Sequence, residues 1–489
     1  MTTESLTETD ISNLYPVDPK QEWPRGTEEV AKGLNLIMSA LQHLNQLEKE
    51  IPVRATYSPE ALSELIDLDF PKGPTHLSSV IERLHEVAKL TPTTSSRSFF
   101  NQLFAGRDPA ALAGELFAAF GNQSVYTYKV AAPIVLIEDA LIQRLGRIAG
   151  LSNEGQRCGG IFTPGGSLSN LAAMLCARDL ANPNWREEGL LSGRIYTSAE
   201  SHYSVSKGAG IIGIGRKNVV KVSCDEHGRM DCISLRQAIE DDMANGLKPI
   251  MVIATAGTTV RGSFDPFAQI AEICKSFGLW FHVDGAFGGT ALFHSCFAEQ
   301  VKGISLADSL TWDAHKAMGT PLTCSVLLTK DPQACELALN ESASYLFQAD
   351  SNLLNPGTRS LQCGRRNDAL KLWAAWLYHG DEGWIRRLER QRNLALALAE
   401  EVKRRPMFDL CEAPPYLNVC FEIKQVDQHP RIDHEALCYQ LQVQQDALVG
   451  YATFKGRTVI RAAVINPALT HSDINHLLNS IENIVNHLQ

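Results

Sequence analysis

The feature that most constrains this chain is the alternation of short apolar runs with helical stretches between about residues 99 and 365. Runs of strand character fall at residues 194–197, 250–254, 279–283, 309–312 and 324–328, and a helix is predicted at 267–276. Strand–helix–strand units of this length require parallel strands with right-handed crossovers, hence a doubly wound α/β body. Residues 1–98 precede it as a helical segment, with apolar residues three and four apart at 30–47 and 77–90. Residues 366–489 follow as a smaller α+β domain. That domain is helical to about 405, strand-like at 417–423 and 458–465, and closes on a helix capped by Thr470 with Asp473 three residues on. Ile474, Leu477, Leu478, Ile481, Ile484, Val485 and Leu488 form the apolar face of that helix. The expected layout is three parts: 1–98, 99–365 and 366–489.

A chain of 489 residues buries an ample core, so no disulfide or metal staple is required. Its 12 cysteines are scattered from Cys158 onward without a CxxC pair, which indicates reduced thiols and neither a disulfide framework nor a zinc site. Lys and Arg number 45 against 55 Asp and Glu, a net charge of -10. Nucleic acid and anionic membrane surfaces are therefore poor partners, because phosphate contacts need dense cationic surface. The polar, acidic N-terminus lacks the pattern of a signal peptide, and the apolar run 130–137, broken by Pro133, is too short to span a bilayer. A soluble cytoplasmic protein is expected.

The chemistry concentrates at strand ends. LWFHVDGAFGG (279–289) delivers Asp284 at the carboxyl end of a strand, where ligands sit in open α/β sheets. Some thirty residues on, SLTWDAHKAMG (309–319) places His315 and Lys316 at the end of another. Alone, such an Asp is an ordinary turn cap and such a Lys an ordinary surface residue. Together they are the pair that pyridoxal 5′-phosphate (PLP) requires: a lysine for the Schiff base and a carboxylate to keep the pyridine nitrogen protonated. FTPGGSLSNLAAM (162–174) opens a helix at Gly165, Gly166 and Ser167, whose free amides suit a phosphate dianion, though the same turn is also a common loop-to-helix junction. His202, in SAESHYSVSKGAG, follows a strand, where an imidazole can stack on a flat ring; Thr258, in ATAGTT, also follows one.

With these motifs in order, joined by FFNQLFAGRDPAALAGE, SYLFQ, LQCGRRNDALKLW and VIRAAVINP, the sequence resembles the group II PLP-dependent amino acid decarboxylases. It is similar to their glutamate, cysteine sulfinate and aspartate decarboxylase branch. The resemblance runs from about residue 99 to the C-terminus. It implies an aspartate-aminotransferase-like fold of type I, a homodimer with the active site at the subunit interface, and decarboxylation of an acidic amino acid. Family roles then fall on Lys316 (Schiff base), Asp284 (pyridinium carboxylate), His202 (ring stacking), Ala286 on the opposite ring face, and His315 beside the lysine. The proton donor that follows carbon dioxide loss corresponds to Tyr345, and the substrate-carboxylate contacts to Arg461 and Gln102.

Substrate length turns on two further positions. Ser124 and Tyr126 resemble the cysteine sulfinate and aspartate pattern, where animal glutamate decarboxylases carry Asn and Phe. An unpaired buried hydroxyl costs about 1–3 kcal/mol, so the Tyr126 hydroxyl can shift preference by about one or two orders of magnitude. A three-carbon acid (cysteine sulfinate, aspartate or cysteate) is expected, with glutamate or 2,4-diaminobutyrate as alternatives. The chain departs from the family at Ser96, Lys129, Gly285 and Ser344, and in a shortened stretch between Tyr345 and Gln362. A catalytically silent relative acting as a binding subunit is the reading from another class.

Overall fold

The computed structural model of the protein describes residues 26–51, 53–54, 57–189, 193–341, 355–424 and 432–488. They fall into two compact units, Met1–Thr93 and Thr94–Gln489. In the first, helices Gly26–Glu50 and Leu77–Leu90 pack on one another, as their apolar spacing predicts. A short helix, Pro59–Leu65, lies between them in sequence, its first turn capped by Ser58 Oγ, which accepts the Ala61 N–H at 3.2 Å.

Among the described residues the second unit holds twelve strands: β1 (Phe99–Phe100), β2 (Gly159–Thr163), β3 (Arg194–Ser198), β4 (Val219–Val222), β5 (Pro249–Thr255), β6 (Trp280–Asp284), β7 (Ser309–Asp313), β8 (Ser325–Thr329), β9 (Phe408–Leu410), β10 (Asn418–Ile423), β11 (Leu448–Phe454) and β12 (Arg457–Ala463). Seven form the large sheet in the order β2-β8-β7-β6-β5-β3-β4. Each neighbouring pair from β4 through β7 is parallel, as the alternating pattern demands. β8 differs, running antiparallel to both β7 and β2. The cause is local: the connection from Asp313 to Ser325 contains no helix, and a parallel return needs a crossover of a dozen or more residues. β2, β7 and β8 are buried along their whole lengths, so the polar side chains they carry, Ser309, Thr311 and Asp313 of β7 among them, lie inside the protein. Helix Gly166–Ala181 covers one face, with Leu171, Ala173 and Met174 packed against Ile195, Met251 and Ile253.

The small sheet has the order β1-β11-β12-β10-β9. β1 precedes the large sheet in sequence yet pairs in parallel with β11, so the start of this unit is tied to its C-terminal part. The last helix, His471–Leu488, is closed by the expected reciprocal cap. Asp473 Oδ2 accepts the Thr470 N–H at 2.8 Å, and Thr470 Oγ1 accepts the Asp473 N–H at 3.4 Å. Its predicted apolar face is buried against Leu394 and Leu398 of the long helix Ala369–Arg404; the Leu488 side chain lies outside the described residues. The run 130–137 is part of a helix, Tyr128–Ile148, kinked at Ala131 just before Pro133. Among the described residues, no helix is long and apolar enough to cross a membrane.

Candidate active site

Asp284 ends β6, flanked in register by Thr255 of β5 and Thr311 of β7. Its Oδ2 accepts from Asn170 Nδ2 at 2.8 Å and its Oδ1 from the Ala286 N–H at 3.2 Å. Asn170 stands on the Gly166–Ala181 helix, so one hydrogen bond joins that helix to the carboxylate. At the head of the helix Gly165 has φ +111°, a conformation that excludes other residues. Gly166 is required for a different reason: a Cβ there would lie 2.6 Å from Asp313 Oδ2. The first-turn amides of Gly166 and Ser167 have no partner within the helix, so they are available to an anion.

Lys316 follows β7 by three residues, and its Nζ is 3.3 Å from Asp313 Oδ2. Neighbouring His315 is fixed by the Cys324 N–H, 3.1 Å from its Nδ1, while its Nε2 lies 3.6 Å from Asp313 Oδ2. Burial pushes the pKa of His315 down. His202 follows β3, and its Nδ1 accepts the Ser204 N–H at 3.3 Å. Burial also lowers the pKa of His202, against the opposing pull of Asp284. An uncharged imidazole results, suited to packing on a cationic ring rather than repelling it.

A cavity of about 270 Å³ is bordered by every residue of the expected cofactor set except Thr258. Thr258 is buried, and its Oγ1 accepts the Ser263 N–H at 3.1 Å. Gly257 and Thr259 border the cavity in its place, together with Asn170, Thr255 and Asp313. Thr255 Oγ1 is buried with no partner, a polar atom left for a ligand. A helix N-terminus for a phosphate, a carboxylate for a ring nitrogen and a lysine for a carbonyl thus share one cavity, and PLP fits this donor set. A larger cavity of about 590 Å³, bordered by His227, Asp265 and Glu412, shares none of these residues.

The expected substrate residues lie outside this lining. Arg461, on β12, donates from Nη1 to the Thr259 carbonyl at 3.0 Å and from Nη2 to the Asn101 carbonyl. Its Nε–H is buried without a partner, and burial lowers its pKa. Because Thr259 borders the cavity, Arg461 sits one contact behind it. Gln102, next to Asn101, is exposed. Ser124 Oγ accepts the Arg365 N–H at 3.2 Å, and the Tyr126 carbonyl accepts the Gly357 N–H at 2.9 Å. Both therefore pack on the chain that follows residues 342–354. Tyr345 and Ser344 fall within that stretch, outside the described residues.

Two of the departures have local causes. A Cβ on Gly285 would meet Leu310 Cδ1 at 2.7 Å and the Thr311 carbonyl at 2.9 Å, so β7 leaves room only for glycine. Ser96 is spent on its own turn, its Oγ accepting the Ser98 N–H at 3.0 Å. The sequence motifs do not single out Asn170, His282, Ser309, Thr311 or Asp313. For the four strand residues the signal is polar side chains at alternate positions of β6 and β7 (His282 and Asp284; Ser309, Thr311 and Asp313), which places them on one face, whereas Asn170 lies on a helix and carries no such signal.

Residues 59–424 match the family model described as the pyridoxal-dependent decarboxylase conserved domain. Human cysteine sulfinic acid decarboxylase is 38% identical over 445 residues, covering 87% of this chain and 90% of that protein. The bovine acidic amino acid decarboxylase GADL1 is 36% identical, covering 87% and 84%. The crystal structure of mouse CSAD aligns with a TM-score of 0.88 at 34% identity, covering 93% of this chain and 98% of that one.

Proposed function

The chain belongs to the pyridoxal-dependent decarboxylase family, with the type I fold and PLP as cofactor, and from that premise we propose that it decarboxylates a small acidic amino acid. The convergence of Lys316, Asp284 and His202 on one cavity at the head of the Gly166–Ala181 helix carries this reading. Bound there, PLP supplies a carbonyl for the substrate amine and a protonated ring that accepts the electron pair left as carbon dioxide departs.

The chain's own residues have distinct tasks. The Gly166 and Ser167 amides bind the phosphate, helped by the helix dipole. Asp284 would keep the proton on the ring nitrogen, and His202 would pack against the ring. The Lys316 amine would hold the cofactor through its carbonyl. Tyr345 delivers the proton that replaces the lost carboxylate, which separates amine formation from carbonyl by-products.

Arg461 supports an acidic substrate. Its guanidinium retains unused N–H groups beside Thr259, and that planar fork matches a carboxylate or sulfinate. Ser124 and Tyr126 favour a three-carbon acid, in line with the cysteine sulfinic acid for which the human relative is named. Protein loaded with PLP, incubated in turn with cysteine sulfinate, aspartate, cysteate, glutamate and 2,4-diaminobutyrate, should release carbon dioxide fastest from one of the first three by kcat/KM. A lead for glutamate or diaminobutyrate would overturn the substrate assignment, and turnover by Lys316→Ala would overturn the site.

The protein works as a homodimer in the cytoplasm. Phe117 and Phe120 on helix Pro109–Gly121, and Leu377 and Tyr378 on the neighbouring helix Ala369–Arg404, are each at least 67% exposed, an apolar face suited to a second copy. All 12 cysteines are unpaired, in keeping with a reducing compartment. Sedimentation at micromolar concentration tests the dimer.

A further inference from the structure

Beyond Asp284 runs a file of buried polar side chains to which the reaction assigns no task. Trp280 Nε1 donates to Ser309 Oγ at 2.8 Å; Ser309 Oγ lies 2.8 Å from His282 Nδ1; His282 Nε2 lies 3.0 Å from Asn170 Oδ1; and Asn170 Nδ2 donates to Asp284 Oδ2 at 2.8 Å. Ser309, His282 and Asn170 are at most 1% exposed, so water cannot substitute for any of them.

We propose that Trp280, Ser309, His282 and Asn170 form a one-way chain of hydrogen bonds that ends on Asp284 and holds its carboxylate in a single orientation toward the cofactor's ring nitrogen. His282 and Asn170 are then positioning residues for cofactor binding. This role rests on Asp284 serving the ring nitrogen as proposed above.

The direction follows from which atoms can donate. The Asp284 carboxylate accepts, so the Asn170 atom facing it is the amide nitrogen, which also donates to Ser204 Oγ at 3.2 Å. Asn170 Oδ1 must therefore accept, and it receives from His282 Nε2–H and from Thr311 Oγ1 at 2.8 Å. Burial pushes the pKa of His282 down to about 4, so the ring is neutral and its Nδ1 carries no proton. Nδ1 accepts from the Ser309 hydroxyl, and Ser309 in turn accepts from the indole of Trp280, which can only donate. Every bond points its positive end toward Asp284. Aligned bonds in a dry interior polarise one another, so the last link is stronger than an isolated amide–carboxylate contact.

The test uses the full-length protein stripped of cofactor and titrated with PLP, with Kd read from the quenching of tryptophan fluorescence and Tm measured without cofactor. Asp284→Ala, His282→Leu and Asn170→Asp should each weaken PLP binding by about tenfold or more. His282→Gln should stay within about threefold of the natural protein, because the Gln amide can accept from Ser309 and donate to Asn170 as the imidazole does. Equal weakening by His282→Leu and His282→Gln, with Asp284→Ala still weak, would reduce the chain to packing. Natural affinity in Asn170→Asp would do the same, and this near-isosteric variant decides the matter alone should His282→Leu fail to fold. Natural affinity in Asp284→Ala would remove the ring-nitrogen role itself, and the chain's purpose with it.

Discussion

Lys316 Nζ lies 3.3 Å from Asp313 Oδ2, so the amine proposed to accept the cofactor is held in an ion pair by a carboxylate only 2% exposed. The same carboxylate stands over Gly166, where the phosphate is proposed to bind. Both relationships favour the cofactor-free protein: one occupies the lysine, and the other sets a negative charge beside a dianion in a poorly solvated place. Asp313→Asn should therefore tighten PLP binding by about three- to tenfold, on the order of 1 kcal/mol. An equal or higher Kd in the titration would show that Asp313 assists the cofactor instead.

The close approach of Gly166 and Asp313 yields a second prediction. A Cβ at residue 166 would meet both carboxylate oxygens, at 2.6 and 2.9 Å. Gly166→Ala should destabilise the cofactor-free protein by about 1–3 kcal/mol through overpacking. Asp313→Ala removes the obstructing atoms, so the double variant should be more stable than the sum of the single effects implies. Strict additivity in urea unfolding would place the strain elsewhere.

His282 predicts an acid dependence of stability. Burial lowers its pKa to about 4 from an ordinary 6.5, so the unfolded chain binds a proton there at a pH where the folded one does not. Its contribution is complete above about pH 6.5 and is lost as pH falls toward 4, a difference of about 3 kcal/mol. Other carboxylates add to the acid limb of the whole protein. The informative quantity is the slope of unfolding free energy between pH 6.5 and 4 in the natural protein minus that in His282→Gln. Parallel slopes would mean that His282 titrates normally.

Asp284 and Lys316 are legible in the sequence because few chemistries besides a cofactor site call for strand ends, glycines and a basic residue in that fixed order. The parallel core is legible because short strands alternating with helices call for parallel pairs joined by right-handed crossovers. The antiparallel β8 is harder to read: its composition matches that of a parallel strand, and only the missing helix between Asp313 and Ser325 gives it away. Asn170 is harder still. It lies 114 residues from Asp284, and their bond exists only because the Gly166–Ala181 helix crosses the sheet at β6. Thr258 does not border the cavity: it lies in a loop, where strand alternation gives no guidance to side-chain direction, and its Oγ1 accepts from the Ser263 N–H. Arg461 is visible as a charge in an apolar strand, but its bond to the Thr259 carbonyl depends on how two sheets meet.

That bond makes Arg461 a sharp test of substrate class, because two roles are open to it. As a strut, it holds the Thr259 and Asn101 carbonyls, and its loss would lower Tm and disturb the cavity wall. As an anion site, it spends its remaining N–H groups on the substrate's distal acid group. Loss of a charge-assisted pair costs about 1.5–3 kcal/mol, so Arg461→Ala should raise KM for the preferred acid by about ten- to hundredfold, with kcat changed less. Arg461→Lys should recover little, since an ammonium lacks the planar fork. The discriminating measurement is chemical rescue: guanidinium ion added to Arg461→Ala should restore part of the lost kcat/KM for acidic substrates. A variant that loses Tm and shows no rescue has lost a strut, and the acidic substrate would then need another cation to hold it.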